Sequence, residues 1–295
     1  MRIGFIGTGT MGTPIAGELV KAGHRLTVYD IRPEATAALA AQGAAVANSA
    51  SGAVAGAEAV FTSLPGPNEM EATALDPDNG ILATLGQGGA YIDLTTNQPA
   101  TVRLVEAAAA KRGLAFLDAP VSGRPPNMTV MVGGAEADFV RCKKLLEAMA
   151  KNVFHVGPSG AGCAAKLVTQ YMGYSNFIAA VEGLLIAAKA GIDLEVLAKI
   201  VPVSAGQSRT FDTSARTIIS RAFASNGSLD IIVKDMDLAV NLAREVGAPA
   251  SLGALAYDAY KRAQAQGLGG EGYPSVAKVL EAMAGVELQA EPRDE

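Results

Sequence analysis

The sequence predicts an α/β protein whose N-terminal half is a doubly wound parallel sheet and whose C-terminal half is all helical. Three observations predict this. Short apolar runs alternate with helical patterns through the first half. A glycine-rich turn sits between the first such run and the first helix. After about Gly160 the strand signals vanish.

The strand candidates are residues 2–6, 25–29, 59–63, 90–93 and 114–117. Each is mostly apolar, as strands covered on both faces should be. Helical segments at 11–22, 33–41 and 98–112 lie between them, and this alternation implies parallel βαβ units. Two further strands, 128–132 and 153–156, flank a helix at 135–149. A long helical pattern then runs over 161–190 and stops at Gly191, a residue suited to ending a helix. Helices follow at 194–200, 211–221, 231–246, 251–266 and 276–283, with Asp193 and Ser275 as expected N-caps. At roughly 100–200 residues per domain the length suggests two domains, placed at 1–160 and 161–295.

Composition excludes several classes of function. A formal net charge of −5 argues against a nucleic-acid partner, which needs a basic face. The two cysteines, Cys142 and Cys163, are expected as free thiols in a reducing compartment. The apolar start is too short and glycine-broken for a signal peptide. No run of about 20 apolar residues offers a membrane span. The cytoplasm is the expected location. The acidic tail, residues 291–295, is expected to fray. His24 and His155 lack metal-site spacing with either cysteine, so no metal is expected.

Gly7-Thr8-Gly9-Thr10-Met11-Gly12 fits G-x-G-x-x-G between a strand and a helix, and the next strand leads to Asp30. This is the dinucleotide-binding fingerprint of the Rossmann fold. Gly7 permits the tight turn, Gly9 lets backbone approach a pyrophosphate, and Gly12 lets helix and strand pack closely. The helix start offers N–H groups and a partial positive charge to phosphate. The Asp30 carboxylate suits ribose hydroxyls and would repel a 2′-phosphate, so NAD is expected ahead of NADP; Arg32, close by, weakens that preference. Leu64, Pro65, Thr95 and Thr96 follow strands at the end that faces the ligand crevice. They are candidates for cofactor contact, with ordinary turns or helix caps as the alternative.

Two more segments carry chemistry. Asp118-Ala119-Pro120-Val121-Ser122-Gly123 follows the fifth strand, and Gly160-Ala161-Gly162-Cys163-Ala164-Ala165-Lys166 opens the long helix. With the fingerprint and Lys234-Asp235-Met236-Asp237-Leu238-Ala239, they resemble the β-hydroxyacid dehydrogenase family over almost the whole chain. The resemblance implies that Ser122 and Gly123 bind a substrate carboxylate and that Lys166 is the general acid/base. It implies that Gln170 stands where the family usually has Asn. It also implies that Lys234 reaches the active site, supported by Asp235, and that the chain is a homodimer or homotetramer. The chemistry of the residues agrees. Alcohol oxidation sends a hydride to NAD and a proton to a side chain. A lysine serves where burial lowers its pKa. Lys166 and Gln170, four residues apart, share a helix face.

The sequence departs from the family at three places. Ser-Gly-Gly is here Ser122-Gly123-Arg124, and the segment onward to Met131 is about five residues shorter, carrying Pro125 and Pro126. Gln170 is one methylene longer than Asn. Tyr273-Pro274 stands near Gly272, where the family often has Asp. Arg124 either pairs with a second substrate carboxylate, which suits a guanidinium, or points to solvent. The expected substrate is therefore a small β-hydroxy acid, 3-hydroxyisobutyrate-like, or the matching semialdehyde. An imine reductase, or an inactive nucleotide-binding protein on the same scaffold, is the alternative reading; Lys166 counts against both.

Overall fold

A computed structural model describes residues 1–224 and 227–289, so the fraying expected of the acidic tail lies outside the described residues. The chain forms two compact units, Met1–Lys166 and Leu167–Glu295.

The first unit is built on a nine-stranded sheet. Its strands are β1 (Arg2–Ile6), β2 (Arg25–Tyr29), β3 (Ala45–Val46), β4 (Ala59–Thr62), β5 (Ala90–Asp93), β6 (Ala115–Asp118), β7 (Val121–Ser122), β8 (Thr129–Gly133) and β9 (Asn152–Gly157). The order is β3-β2-β1-β4-β5-β6-β8-β7, with β9 beside β8. Strands β1 to β6 pair in parallel, in the order 3-2-1-4-5-6 of dinucleotide-binding folds. The all-parallel sheet expected from alternation ends at β6. Strand β8 runs antiparallel to β6 and β7, because β7 and β8 are joined by a short loop and not by a crossover helix. Gly123, at φ +80, turns that loop.

Strands β4, β5 and β6 are buried along their whole length, which explains their unbroken apolar runs. The helix Gly12–Lys21 buries Gly12, Ile15, Ala16 and Leu19 on one face, the spacing of an amphipathic helix. Its core partners include Phe5, Val28 and Phe61. Burying an aliphatic side chain of this kind contributes about 1.5–3 kcal/mol.

Several small elements carry no sequence periodicity: β3, β7 and the helices Ala50–Val54, Pro67–Leu75 and Ile81–Thr84. The helix expected over 33–41 is a 3-10 turn, Pro33–Thr36, followed by one α-turn, Ala37–Ala40.

The helix Ala161–Lys189 begins in the first unit and continues into the second. It ends as expected at Gly191, φ +75, whose N–H donates to the Ala188 carbonyl while Ile192 N–H reaches that of Ala187. The second unit contains the helices Leu194–Ile200, Arg209–Ile219, Leu229–Glu245, Ser251–Ala263 and Val276–Ala284. Asp193 caps the first, accepting from Glu195 and Val196 N–H. Ser275 does not cap the last through its side chain. Its backbone is already helical (φ −60, ψ −17), whereas a capping residue needs an extended backbone. The helix expected to reach residue 266 gives way to a wider turn, Gln264–Leu268, at Gly267 (φ +87). No helix among the described residues is long and apolar enough to cross a membrane.

Candidate active site

In the first unit, the glycine turn and the end of β2 form one structure. A Cβ on Gly7 would collide with the Ser63 carbonyl, and one on Gly12 with the Gly7 carbonyl oxygen. These two glycines are needed for packing alone. Gly9 differs: a Cβ there would meet only the Arg32 guanidinium, at 3.6 Å. Its open face leaves backbone available to a ligand, which is what a bound pyrophosphate requires.

Asp30 is buried, and both its oxygens are held. One accepts Thr8 N–H at 2.8 Å, the other Arg32 N–H at 2.9 Å. The Arg32 Nε lies 3.6 Å from the second oxygen, on a side chain 63% exposed. Thr10 is exposed and Met11 half-buried, both at the start of the helix. The residues fit a dinucleotide: an open glycine, a helix start and a fixed carboxylate meet at the end of the sheet.

The loops after β4 and β5 are tied together. Leu64 N–H donates to the Thr95 hydroxyl at 3.0 Å, while Pro65 is exposed and Thr96 half-buried. Thr95 is thereby committed to holding the β4 loop. Beneath it, Thr62, Asp93 and Asp118 stand in register at the ends of β4, β5 and β6. Asp93 accepts from the Thr62 hydroxyl at 2.6 Å and the Asn97 amide at 2.7 Å. Asp118 accepts Gly160 and Cys163 N–H, each at 2.8 Å. Desolvation by burial raises both carboxyls from the usual 3.8 to about 6, against these hydrogen bonds.

Lys166 lies in the second turn of the long helix and is 7% exposed. Cys163, one turn earlier, is a buried free thiol packed near Thr95. Burial and the neighbouring Asp118 and Asp93 push that thiol well above its ordinary range, so it is inert rather than nucleophilic. Ser122 is half-buried on β7, whereas Gly123 and Arg124 are exposed in the turn that follows.

The second unit holds its own polar cluster. Gln170 donates its amide to Asp235 at 2.7 Å and to the Tyr174 hydroxyl at 2.9 Å. Lys234 pairs with Asp235 at 2.9 Å. Its other acidic neighbours on the helix are engaged elsewhere: Asp237 accepts from the Tyr257 hydroxyl, Asp230 from Gln264. Burial pushes the Tyr174 phenol far up, with the Asp235 charge adding to it, so it stays neutral. His155 stacks on Phe139 and meets the Gly134 carbonyl. Among the described residues no group of three His, Cys, Asp or Glu could hold a metal ion.

Sequence reading missed Thr62, Asp93 and Asn97, and quoted Asp118 without giving it a role. The signal available was a carboxylate closing each of two wholly apolar strands.

Comparison with known proteins then decides the family. Residues 2–157 match the NAD binding domain of 6-phosphogluconate dehydrogenase, and residues 160–280 match a domain described as NAD-binding of NADP-dependent 3-hydroxyisobutyrate dehydrogenase. The chain belongs to the β-hydroxyacid dehydrogenase family. It is 32% identical to 2-(hydroxymethyl)glutarate dehydrogenase of Eubacterium barkeri, over 98% of this chain and 97% of that one. It is 34% identical to the NAD-dependent L-serine dehydrogenase of Pseudomonas aeruginosa, over 96% and 99%. Among solved structures it resembles 3-hydroxyisobutyrate dehydrogenase from Salmonella typhimurium, with TM-score 0.85 and 30% identity over 95% and 99% of the chains. The family identity makes this an oxidoreductase acting on hydroxy acids with a nicotinamide cofactor.

Proposed function

We propose that this β-hydroxyacid dehydrogenase oxidises a small β-hydroxy acid with NAD, or reduces the matching semialdehyde, and that Lys166 is its general acid/base. The observation that carries the reading is Lys166 itself, a lysine 7% exposed beside the anchored start of its helix. A titratable group buried at the start of such a helix is a candidate for proton transfer.

NAD, when bound, supplies the hydride acceptor. Asp30 orients the adenosine ribose, and its charge disfavours a 2′-phosphate. Gly9, Thr10 and Met11 meet the pyrophosphate; Leu64, Pro65 and Thr96 border the ribose that carries the nicotinamide. Ser122 and Gly123 take the substrate carboxylate, and Lys166 takes the hydroxyl proton on oxidation or returns it on reduction. Gln170 and Lys234, both fixed by Asp235, complete the polar set from the second unit.

Arg124 sets the substrate class in this reading. The relative acting on 2-(hydroxymethyl)glutarate handles a dicarboxylate, and an exposed guanidinium in the turn after Ser122 suits a second carboxylate. Two buried free thiols suit a reducing compartment such as the cytoplasm. Exposed Ile186, Leu252 and Leu255 suit assembly of the helical unit into a dimer or tetramer, checked by light scattering.

The test is a panel of 3-hydroxyisobutyrate, L-serine and 2-(hydroxymethyl)glutarate, each with NAD and NADP, reading the absorbance of the reduced nicotinamide. Lys166→Ala should lower kcat by about 10³-fold or more while NADH still binds. Unchanged turnover in that variant would remove Lys166 from the mechanism.

A further inference from the structure

The helix that carries Lys166 is capped from a distance. Its first turn needs acceptors for its backbone N–H groups, and normally the residue just before a helix supplies one. Here the acceptor is Asp118, at the end of β6. Its Oδ1 accepts from Gly160 and its Oδ2 from Cys163, both at 2.8 Å. One carboxylate therefore bridges two points on the chain three residues apart.

The surroundings leave no slack. A Cβ on Gly162 would lie 2.5 Å from the Asp118 and Met131 carbonyl oxygens. A Cβ on Gly133 would collide with Asp118 Oδ1 and come within 2.8 Å of Gly162 N. The helix start is thus seated backbone against backbone on the ends of β6 and β8. Lys166 follows Gly162 by four residues and Cys163 by three, so it projects from the face that makes this contact. A one-residue slip at the seat would turn the lysine by about 100° and shift it by about 1.5 Å.

We propose that Asp118 is the positioning residue for Lys166, its two carboxylate oxygens fixing the azimuth and height of the helix turn that presents the lysine. The inference rests on the reading of Lys166 as acid/base. The carboxylate is wholly buried and its pKa is raised to about 6 by desolvation, a cost that an ordinary surface cap would avoid. Only a carboxylate satisfies both N–H groups. In Asn one of the two positions becomes an NH2, which would face a donor.

The experiment compares wild type, Asp118→Asn, Asp118→Glu and Lys166→Ala, with sites counted by NADH fluorescence titration. The substrate is the hydroxy acid turned over fastest in the panel above. Asp118→Asn should lose at least about tenfold in kcat per NADH site, since a misplacement near 1 Å costs about 10²-fold. Its NADH affinity should stay within about twofold, and deuterium exchange over 158–166 should quicken. Asp118→Glu restores both acceptors one methylene further out, so its kcat should fall between the two. If Asp118 only stabilises the fold, Asp118→Asn melts lower but keeps wild-type kcat per NADH site, and the proposal is overturned. Failure of both Asp118 variants to fold overturns it too, by assigning the residue to folding. Full turnover in Lys166→Ala instead removes the reading of Lys166, and the role of Asp118 goes with it. Loss in Lys166→Ala with none in Asp118→Asn rejects the positioning role alone.

Discussion

The side-chain amide of Gln170 donates to the Asp235 carboxylate at 2.7 Å, and the same carboxylate holds the Lys234 ammonium at 2.9 Å. Asp235 is buried, so it fixes a polar pair contributed by two helices of the second unit. A carboxylate only accepts hydrogen bonds. The Gln170 nitrogen must therefore face it, which settles the orientation of that amide.

Asp235→Ala should accordingly affect both partners at once. Removing one member of a buried pair leaves the other uncompensated, a loss of about 2–4 kcal/mol, moderated here because Lys234 keeps some contact with water. Urea denaturation measures it. Gln170→Asn is the milder change. The shortened amide cannot span both Asp235 and the Tyr174 hydroxyl, which should cost about 1 kcal/mol. A stability equal to wild type in Asp235→Ala would show that the cluster holds nothing in place.

Much of this was legible in the sequence, and what was not has a physical cause. Strands β1, β2, β4 and β5 are apolar runs ending where the core ends, so their bounds could be read to within a residue. The two-residue strands β3 and β7 are too short to show a period. The glycine turn and the opening of the long helix stood out by motif. The Thr62–Asp93 bond could not, because it joins residues 31 apart and exists only through the register of β4 on β5. The grip of Asp118 on Gly160 and Cys163 spans more than 40 residues and was hidden for the same reason. Ser275 misled because a serine before an apolar run looks like a cap whatever its backbone does.

Gly9→Ala and Gly12→Ala should fail in different ways. The added methyl at Gly12 runs into the Gly7 carbonyl oxygen, so the turn must open. Overpacking of this kind costs about 1–3 kcal/mol, and a lower melting temperature should accompany weaker NADH binding. At Gly9 the nearest atom is Arg32 Nη2 at 3.6 Å, so the fold should melt as wild type while NADH affinity drops at least about tenfold. Equal NADH affinity in Gly9→Ala would place the pyrophosphate elsewhere.

Cofactor choice should turn on Asp30 and Arg32. Asp30→Ser removes the charge facing a 2′-phosphate and leaves the exposed Arg32 guanidinium to meet it. The ratio of kcat/KM for NAD over NADP should fall by about 10²-fold, or about 2.7 kcal/mol. Arg32→Ala in wild-type background should leave NAD kinetics nearly unchanged and weaken whatever NADP activity exists. A wild-type enzyme already preferring NADP would reverse the assignment of Asp30.

The buried carboxylates should also mark the pH dependence of stability. Asp93 and Asp118 have folded pKa values near 6, above the 3.8 expected of an exposed Asp. Between these values the folded state binds more protons than the unfolded one, so stability must fall as pH rises from about 4 to 6 and then level off. The upper bound is about 3 kcal/mol per group. Glu58 and Asp76 act with the opposite sign. Their carboxyls are held low, chiefly by backbone hydrogen bonds, so their contribution is lost as pH falls below about 4. Stability should therefore peak in acid solution, at about pH 4. Urea midpoints from pH 4 to 7.5 test the shape. Asp93→Asn should flatten the fall by about half, because Asp118 still titrates. A midpoint that climbs steadily through this interval would mean that both carboxylates ionise at ordinary values in the folded protein, and hence that water reaches the ends of β5 and β6.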